Sequence, residues 1–207
     1  MGFYSEQIVP RLTNVLLGNK AFAKLRAEEC AGLRGDVVEI GFGSGLNLPH
    51  LPNEVTGVWT VEPSTVALKL AAPRIADARV EVHNGALDGE RLPFEDARFD
   101  SALSTMTLCT IPHVDVALTE LKRVLKPGAE FHFAEHGRAP DPKVARMQDR
   151  FNGMQNMWAG GCNLNREIDV LLTKAGFEIE TINSFYLKGG PKAAGYMYVG
   201  VARVGGD

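Results

Sequence analysis

Val37-Val38-Glu39-Ile40-Gly41-Phe42-Gly43-Ser44-Gly45-Leu46-Asn47 is the stretch that decides the fold. Its first half, with Asp36, is a short apolar run suited to a strand buried on both faces. Its second half places three glycines directly after that strand, where a backbone without side chains turns tightly and lays its amides against a ligand. The spacing is G-x-G-x-G, one residue tighter than the G-x-G-x-x-G of dinucleotide-binding loops. Val55–Val61 is a second apolar run, and it ends at Glu62, about 20 residues beyond Gly41. A carboxylate there can accept hydrogen bonds from both hydroxyls of a ribose; by itself it would be a solvated surface group. Loop and acid together favour a nucleoside pocket. Glu39 lies inside the apolar strand, where an unpaired carboxylate is costly.

Outward from this core the chain alternates strands and helices. Residues 6–31 read as one or two amphipathic helices interrupted at Gly18–Asn19. Ser64 is placed to cap a helix through residue 76, which Pro73 is expected to kink or end. Residues 79–83 and 99–104 read as strands three and four, and 115–125 as a helix closed by the Lys126-Pro127-Gly128 turn. Residues 130–135 form strand five and 142–159 a helix. Asn163 or Asn165 is expected to cap a helix reaching Ala175, stopped by Gly176. Phe177–Tyr186 and Tyr196–Val204 have no helix between them and should form an antiparallel hairpin. The expectation is an α/β fold: a three-layer Rossmann-like sandwich on a mostly parallel seven-stranded sheet, with an antiparallel C-terminal strand at its edge and helices at the N-terminus. Residues 1–207 read as one domain: an N-terminal helical lid over 1–34, a nucleoside-binding core over 35–135, and a substrate-side segment over 136–207.

Composition narrows the class. With 45 % hydrophobic and 23 % charged residues the chain is ordinary for a globular protein. A net charge of −3 argues against a surface that neutralises nucleic acid. Cys30, Cys109 and Cys162 are odd in number and lack a C-x-x-C pair, so a reduced, cytoplasmic setting is expected. No run has the length of a membrane span, and residues 1–10 lack the pattern of a secretory leader. The histidines show no metal-ligand spacing, and no metal is expected.

The glycine loop resembles motif I of class I S-adenosylmethionine (SAM)-dependent methyltransferases. GALDGERLPFEDARFDSALSTMTLCTIP (residues 85–112) and ALTELKRVLKPGAEFHFAEHG (residues 117–137) are similar to motifs II to IV and the fifth strand of the methyltransferase type 11 group. AGGCNLNREIDVLLTKAGFEIE (residues 159–180) resembles a narrower subfamily that includes alkyl-thiol methyltransferases. The resemblance implies SAM as cofactor, with contacts from Glu39, Gly41, Gly43, Ser44, Gly45, Asn47, Glu62, Pro63 and Ser64. Glu39 would face the methionine amino group, and Gly85, Ala86 and Leu87 the adenine, without the acid that relatives often carry there. Thr105, Met106 and Leu108 would line the methionine side. Asn163 stands where relatives often have histidine, so no base is carried over to it.

Open α/β sheets bind substrates outside the carboxyl ends of their strands. His136, directly after strand five, can there accept a proton or orient the acceptor; alternatively it bonds a backbone carbonyl. Tyr4, Trp158 and Tyr186 either roof the pocket or belong to the core. Arg166 either holds a substrate anion or forms an ion pair at a helix start, and Cys162 lies in the subfamily segment. The expected reaction is direct in-line methyl transfer to a small-molecule nucleophile, a thiol in preference to a phenol or amine, by a monomer or homodimer. A non-catalytic SAM-binding sensor or partner subunit is the alternative. Nucleic-acid methylation is disfavoured, because Ser104-Thr105-Met106-Thr107 replaces the N/D-P-P-Y/F element of base methyltransferases.

Overall fold

The computed structural model describes residues 4–205. After a turn over Tyr4–Ile8, helices α1 (Val9–Leu17) and α2 (Lys20–Cys30) are separated by Asn19, whose side chain caps α2 by accepting the Ala21 and Phe22 N–H groups. Five strands follow, three of them leading into helices: β1 (Gly35–Ile40), β2 (Val55–Val61), α3 (Thr65–Ala76), β3 (Glu81–Ala86), β4 (Phe99–Thr105), α4 (Val114–Val124), β5 (Leu125–His136), α5 (Pro142–Trp158) and α6 (Ile168–Lys174). The chain closes with the hairpin β6 (Phe177–Tyr186) and β7 (Tyr196–Val204).

The seven strands lie in the order β3-β2-β1-β4-β5-β7-β6, parallel throughout except for β7. The antiparallel strand is therefore not at the edge, as expected, but between β5 and β6. A hairpin that enters the sheet through its second strand leaves its first strand outermost.

Alternation along β1 sorts the core into two halves. Val38 and Ile40 face α4 and α6, through Leu118, Leu121, Ile168 and Leu172, together with Phe99, Phe131 and Phe133. Val37 faces the opposite side, where Cys30 at the end of α2 and Leu33 just beyond it pack with Phe42, Leu48 and Ala71 of α3. Burying each of the phenylalanines contributes about 1.5–3 kcal/mol.

Four local expectations are corrected. Pro73 does not end α3, which runs on to Ala76; the carbonyl it leaves unpaired belongs to exposed Lys69, where water can serve it. Strand three starts at Glu81 rather than 79, because Arg79 turns its guanidinium onto Asn53 and the Leu51 carbonyl. Lys126-Pro127-Gly128 is looped out within β5, where the pairing jumps from Phe99↔Leu125 to Ser101↔Glu130. Finally, α6 begins at Ile168 without a side-chain cap. Asn163 instead bonds the Cys109 and Gly161 carbonyls, and Asn165 bonds Asp149.

Candidate active site

The glycine loop leaves β1 at the carboxyl edge of the sheet. Gly41, Gly43 and Gly45 have φ of +73°, +59° and +73°, a region closed to most L side chains. A methyl group on Gly41 would also collide with Thr107, so the loop after β1 and the loop after β4 touch. Glu62 joins the loop to the start of α3. One carboxylate oxygen accepts the Gly43 N–H at 2.7 Å and the other the Ser64 N–H at 2.8 Å. Ser64 in turn caps α3 by accepting the Ala67 N–H at 3.2 Å, while Pro63 is exposed. The Glu62 carboxylate is held in place, and each oxygen keeps a lone pair for a further donor.

Beneath the loop lies a buried polar network. Asn47 donates to Glu39 Oε1 at 2.8 Å and to Thr105 Oγ1 at 3.0 Å, and its own oxygen accepts Arg26 at 2.6 Å. Thr105 Oγ1 donates to the Glu29 carboxylate. Glu39 Oε2 is buried with no partner among the described residues. Burial pushes the Glu39 carboxyl up to about 8, against the opposing pull of Asn47 and Arg26. A cationic donor reaching Oε2 would relieve both the missing hydrogen bond and the desolvation. Ser44 is buried, and its carbonyl accepts Arg74 at 2.9 Å.

Arg26 and Glu29 were not singled out from the sequence, yet they supply this network from α2. Their signal is a charged pair on the same helix face as buried Leu25 and Cys30. The helix is consequently a fixed part of the site's floor, whereas α1, from the same expected lid, carries no buried residue. Glu135, also missed, is fully buried on β5; it accepts Ser104 Oγ at 2.7 Å and the Thr107 N–H at 2.9 Å. It thereby fixes the turn after β4, where Met106 adopts a φ of +55° that is uncommon outside glycine. Met106, like Phe22 and Phe185, packs against the buried cluster of Leu25, Ala134 and Met197. Leu108 is turned into the main core. On the other flank of Glu62, whose N–H bonds the Ala86 carbonyl at 2.9 Å, Gly85, Ala86 and Leu87 line an open cleft with Phe94.

The residues expected on the acceptor side separate into distinct places. Tyr4 and Trp158 meet edge-on at 6.0 Å between ring centres, and both are exposed. Tyr186 instead packs against Tyr196. Arg166 forms no ion pair among the described residues; its guanidinium donates to the carbonyls of Leu108 and Ile111 and so clamps the loop after β4. His136 is buried, with Nε2 3.0 Å from the Cys162 sulfur rather than on a backbone carbonyl, and Cys109 Sγ lies 3.8 Å from Cys162 Sγ. The Cys162 thiol is pushed up in pKa by its contact with Cys109 and by burial.

Residues 38–133 match the family described as "Methyltransferase domain". This chain carries a methyltransferase domain. The matched segment runs from β1 to β5 and includes the glycine loop, Glu62 and the turn after β4. The domain's relatives include the ubiquinone/menaquinone biosynthesis C-methyltransferase UbiE of Bordetella avium, 32% identical over 145 residues that make up 68% of this chain and 55% of that protein. A mouse mitochondrial 2-methoxy-6-polyprenyl-1,4-benzoquinol methylase is 40% identical over 65 residues, 31% of this chain and 20% of its own. The chain thus spans a fifth to about half of the length of these curated relatives. Among solved structures, a SAM-dependent methyltransferase from Thermotoga maritima, described as a possible histamine N-methyltransferase, superposes with a TM-score of 0.68 at 23% identity, covering 97% of this chain and 98% of that one. That likeness establishes the shared fold. Among the described residues no helix is long and apolar enough to cross a membrane.

Proposed function

We propose that the methyltransferase domain binds SAM between the glycine loop, Glu62 and Glu39, and transfers its methyl group to a small-molecule thiol by direct in-line displacement. The observation that carries this reading is the pairing of a fixed carboxylate at the end of β2 with an unpartnered buried carboxylate oxygen on β1. Glu62 suits the two ribose hydroxyls, and Glu39 Oε2 suits the ammonium of the methionine moiety. When bound, SAM supplies a methyl group already activated by its sulfonium.

What remains for the chain is alignment and exclusion of water. Asn47 and Thr105 hold Glu39, Glu135 fixes the 105–108 turn, and Met106 with Phe22 and Phe185 supplies an apolar wall. Good alignment is worth about 7–11 kcal/mol of barrier. The His136 ring is buried, with Nε2 on Cys162 and Nδ1 without a partner among the described residues, and the reaction proposed here asks no strong base of it. A thiol, with a pKa of about 8.5, ionises without one, which favours it over a phenol or an alkyl amine as acceptor. The surface formed by α1 and residues 136–205 takes the acceptor side, and nucleic acid has no part in the reaction.

The second reading is methylation of a quinol ring carbon, supported by the 32% identity to the UbiE protein. The test is incubation of the pure protein with SAM and a panel of alkyl thiols, 1,4-benzoquinols, phenols and amines, measuring S-adenosylhomocysteine. Turnover confined to the thiols is expected. Turnover confined to the quinols would install the second reading, and SAM binding without any product would favour a non-catalytic sensor or partner subunit.

A further inference from the structure

Cys109, His136 and Cys162 come from three separate parts of the chain: the loop after β4, the last residue of β5 and the loop after α5. Their ligand atoms lie within 4.8 Å of one another, and all three residues are buried. We propose that they form a binding site for one zinc ion, with a fourth coordination position open to an exogenous ligand.

The geometry supports the donor set. Two sulfurs on a tetrahedral zinc, each bonded at about 2.3 Å, stand about 3.8 Å apart. The Cys109 and Cys162 sulfurs are 3.8 Å apart. A zinc-bound nitrogen and sulfur stand about 3.6 Å apart, so the 3.0 Å between His136 Nε2 and Cys162 Sγ must open slightly as the ion enters. Two thiolates and a neutral imidazole balance the charge of Zn²⁺, which matters where each ligand is buried. On binding, each cysteine gives up its thiol proton to solvent, and two Zn–S bonds and one Zn–N bond form.

The surroundings hold the two cysteine loops face to face. The Asn163 N–H and side-chain amide donate to the Cys109 carbonyl at 2.8 and 3.0 Å. Arg166 grips the carbonyls of Leu108 and Ile111 from the same segment. Glu135 fixes Thr107 on the other side of the turn. These bonds leave the cysteines correctly opposed before any ion arrives. Cys₂His with one position free is a donor set found in catalytic zinc sites. It lies beside the turn that touches Gly41, so the fourth ligand is a soft thiolate of the acceptor; this last assignment rests on the thiol reading above.

The experiment uses the whole chain, purified under reducing conditions, stripped with a chelator and titrated with Zn²⁺ or Co²⁺ alone. One equivalent is expected, and the cobalt form should show thiolate-to-metal charge transfer and tetrahedral d–d bands. Cys109→Ser and Cys162→Ser should each weaken zinc binding by at least ~100-fold, with SAM affinity measured alongside to show that the variants fold. His136→Asn should change the d–d bands while keeping charge transfer. Absence of stoichiometric binding, or binding that survives Cys109→Ser/Cys162→Ser, would overturn the site, as would a Cys109–Cys162 disulfide that forms readily in a protein taking up no metal. An added alkyl thiol should shift the cobalt spectrum. No shift removes the fourth-ligand assignment while the metal site stands, and thiol methylation by a protein that binds no metal sinks the site while sparing the acceptor reading.

Discussion

The Glu62 carboxylate accepts the backbone N–H of Gly43 at 2.7 Å, so the acid after β2 and the loop after β1 are one mechanical unit. Glu62→Ala should therefore weaken SAM binding by roughly 10–100-fold, as charged hydrogen bonds worth about 1.5–3 kcal/mol are lost. Titration calorimetry reads this directly, and unchanged affinity would remove Glu62 from the nucleoside pocket.

Glu39 makes SAM binding depend on pH. With its carboxyl at about 8, it is mostly protonated at neutral pH in the free protein. An ammonium beside Oε2 favours the carboxylate, so binding should release up to one proton at pH 7, and affinity should rise up to about tenfold per pH unit towards pH 8. Calorimetry in buffers of different ionisation enthalpy measures the proton, and Glu39→Gln should abolish both effects. The stability of the free protein should move the other way. The folded state keeps a proton that the unfolded chain loses above about 4.5, so this group lowers stability as pH rises from about 4.5 to 8, by at most about 1.4 kcal/mol per unit.

Gly41→Ala combines a φ of +73° with a collision against Thr107. It should lose about 1–3 kcal/mol in denaturant unfolding, together with measurable SAM binding. A variant as stable as the parent would show that the loop moves freely of the turn after β4.

Arg26 is buried among the acids Glu29 and Glu39 and bonded to Asn47. Arg26→Ala should cost about 3–5 kcal/mol, because the buried network loses the cation that α2 places beside Glu29 and Glu39. Arg26→Lys should recover part of that, since it restores charge but not the reach to Asn47. Thermal unfolding of the two variants distinguishes them.

Short-range chemistry makes the glycine-loop half of the candidate site legible. The apolar run at β1, the glycine spacing, Glu62, the Ser64 cap and the final hairpin are each written within a few neighbouring residues. What escaped is set by contacts distant in sequence. Arg26 and Glu29 look like ordinary helix-surface charges until α2 is laid over the sheet. Glu135 reads as the end of an apolar strand, and its role depends on the turn after β4. The cluster of Cys109, His136 and Cys162 follows no spacing rule because two loops and a strand end assemble it. Pro73 was misleading for the opposite reason: its local effect is real, but solvent at Lys69 absorbs it. Leu108, expected on the cofactor side, could be placed only once the direction of its loop into the core was known.

The bare apolar face of α1 has one more implication. Leu12, Val15 and Leu16 are exposed, whereas the next helix is anchored by Arg26 and Glu29. On the proposed assignment, the donor's floor and the acceptor's threshold are built from adjacent helices with separate foundations. Selection can rewrite the threshold residue by residue, admitting bulkier or greasier molecules, while the machinery that holds the methyl source stays as it is.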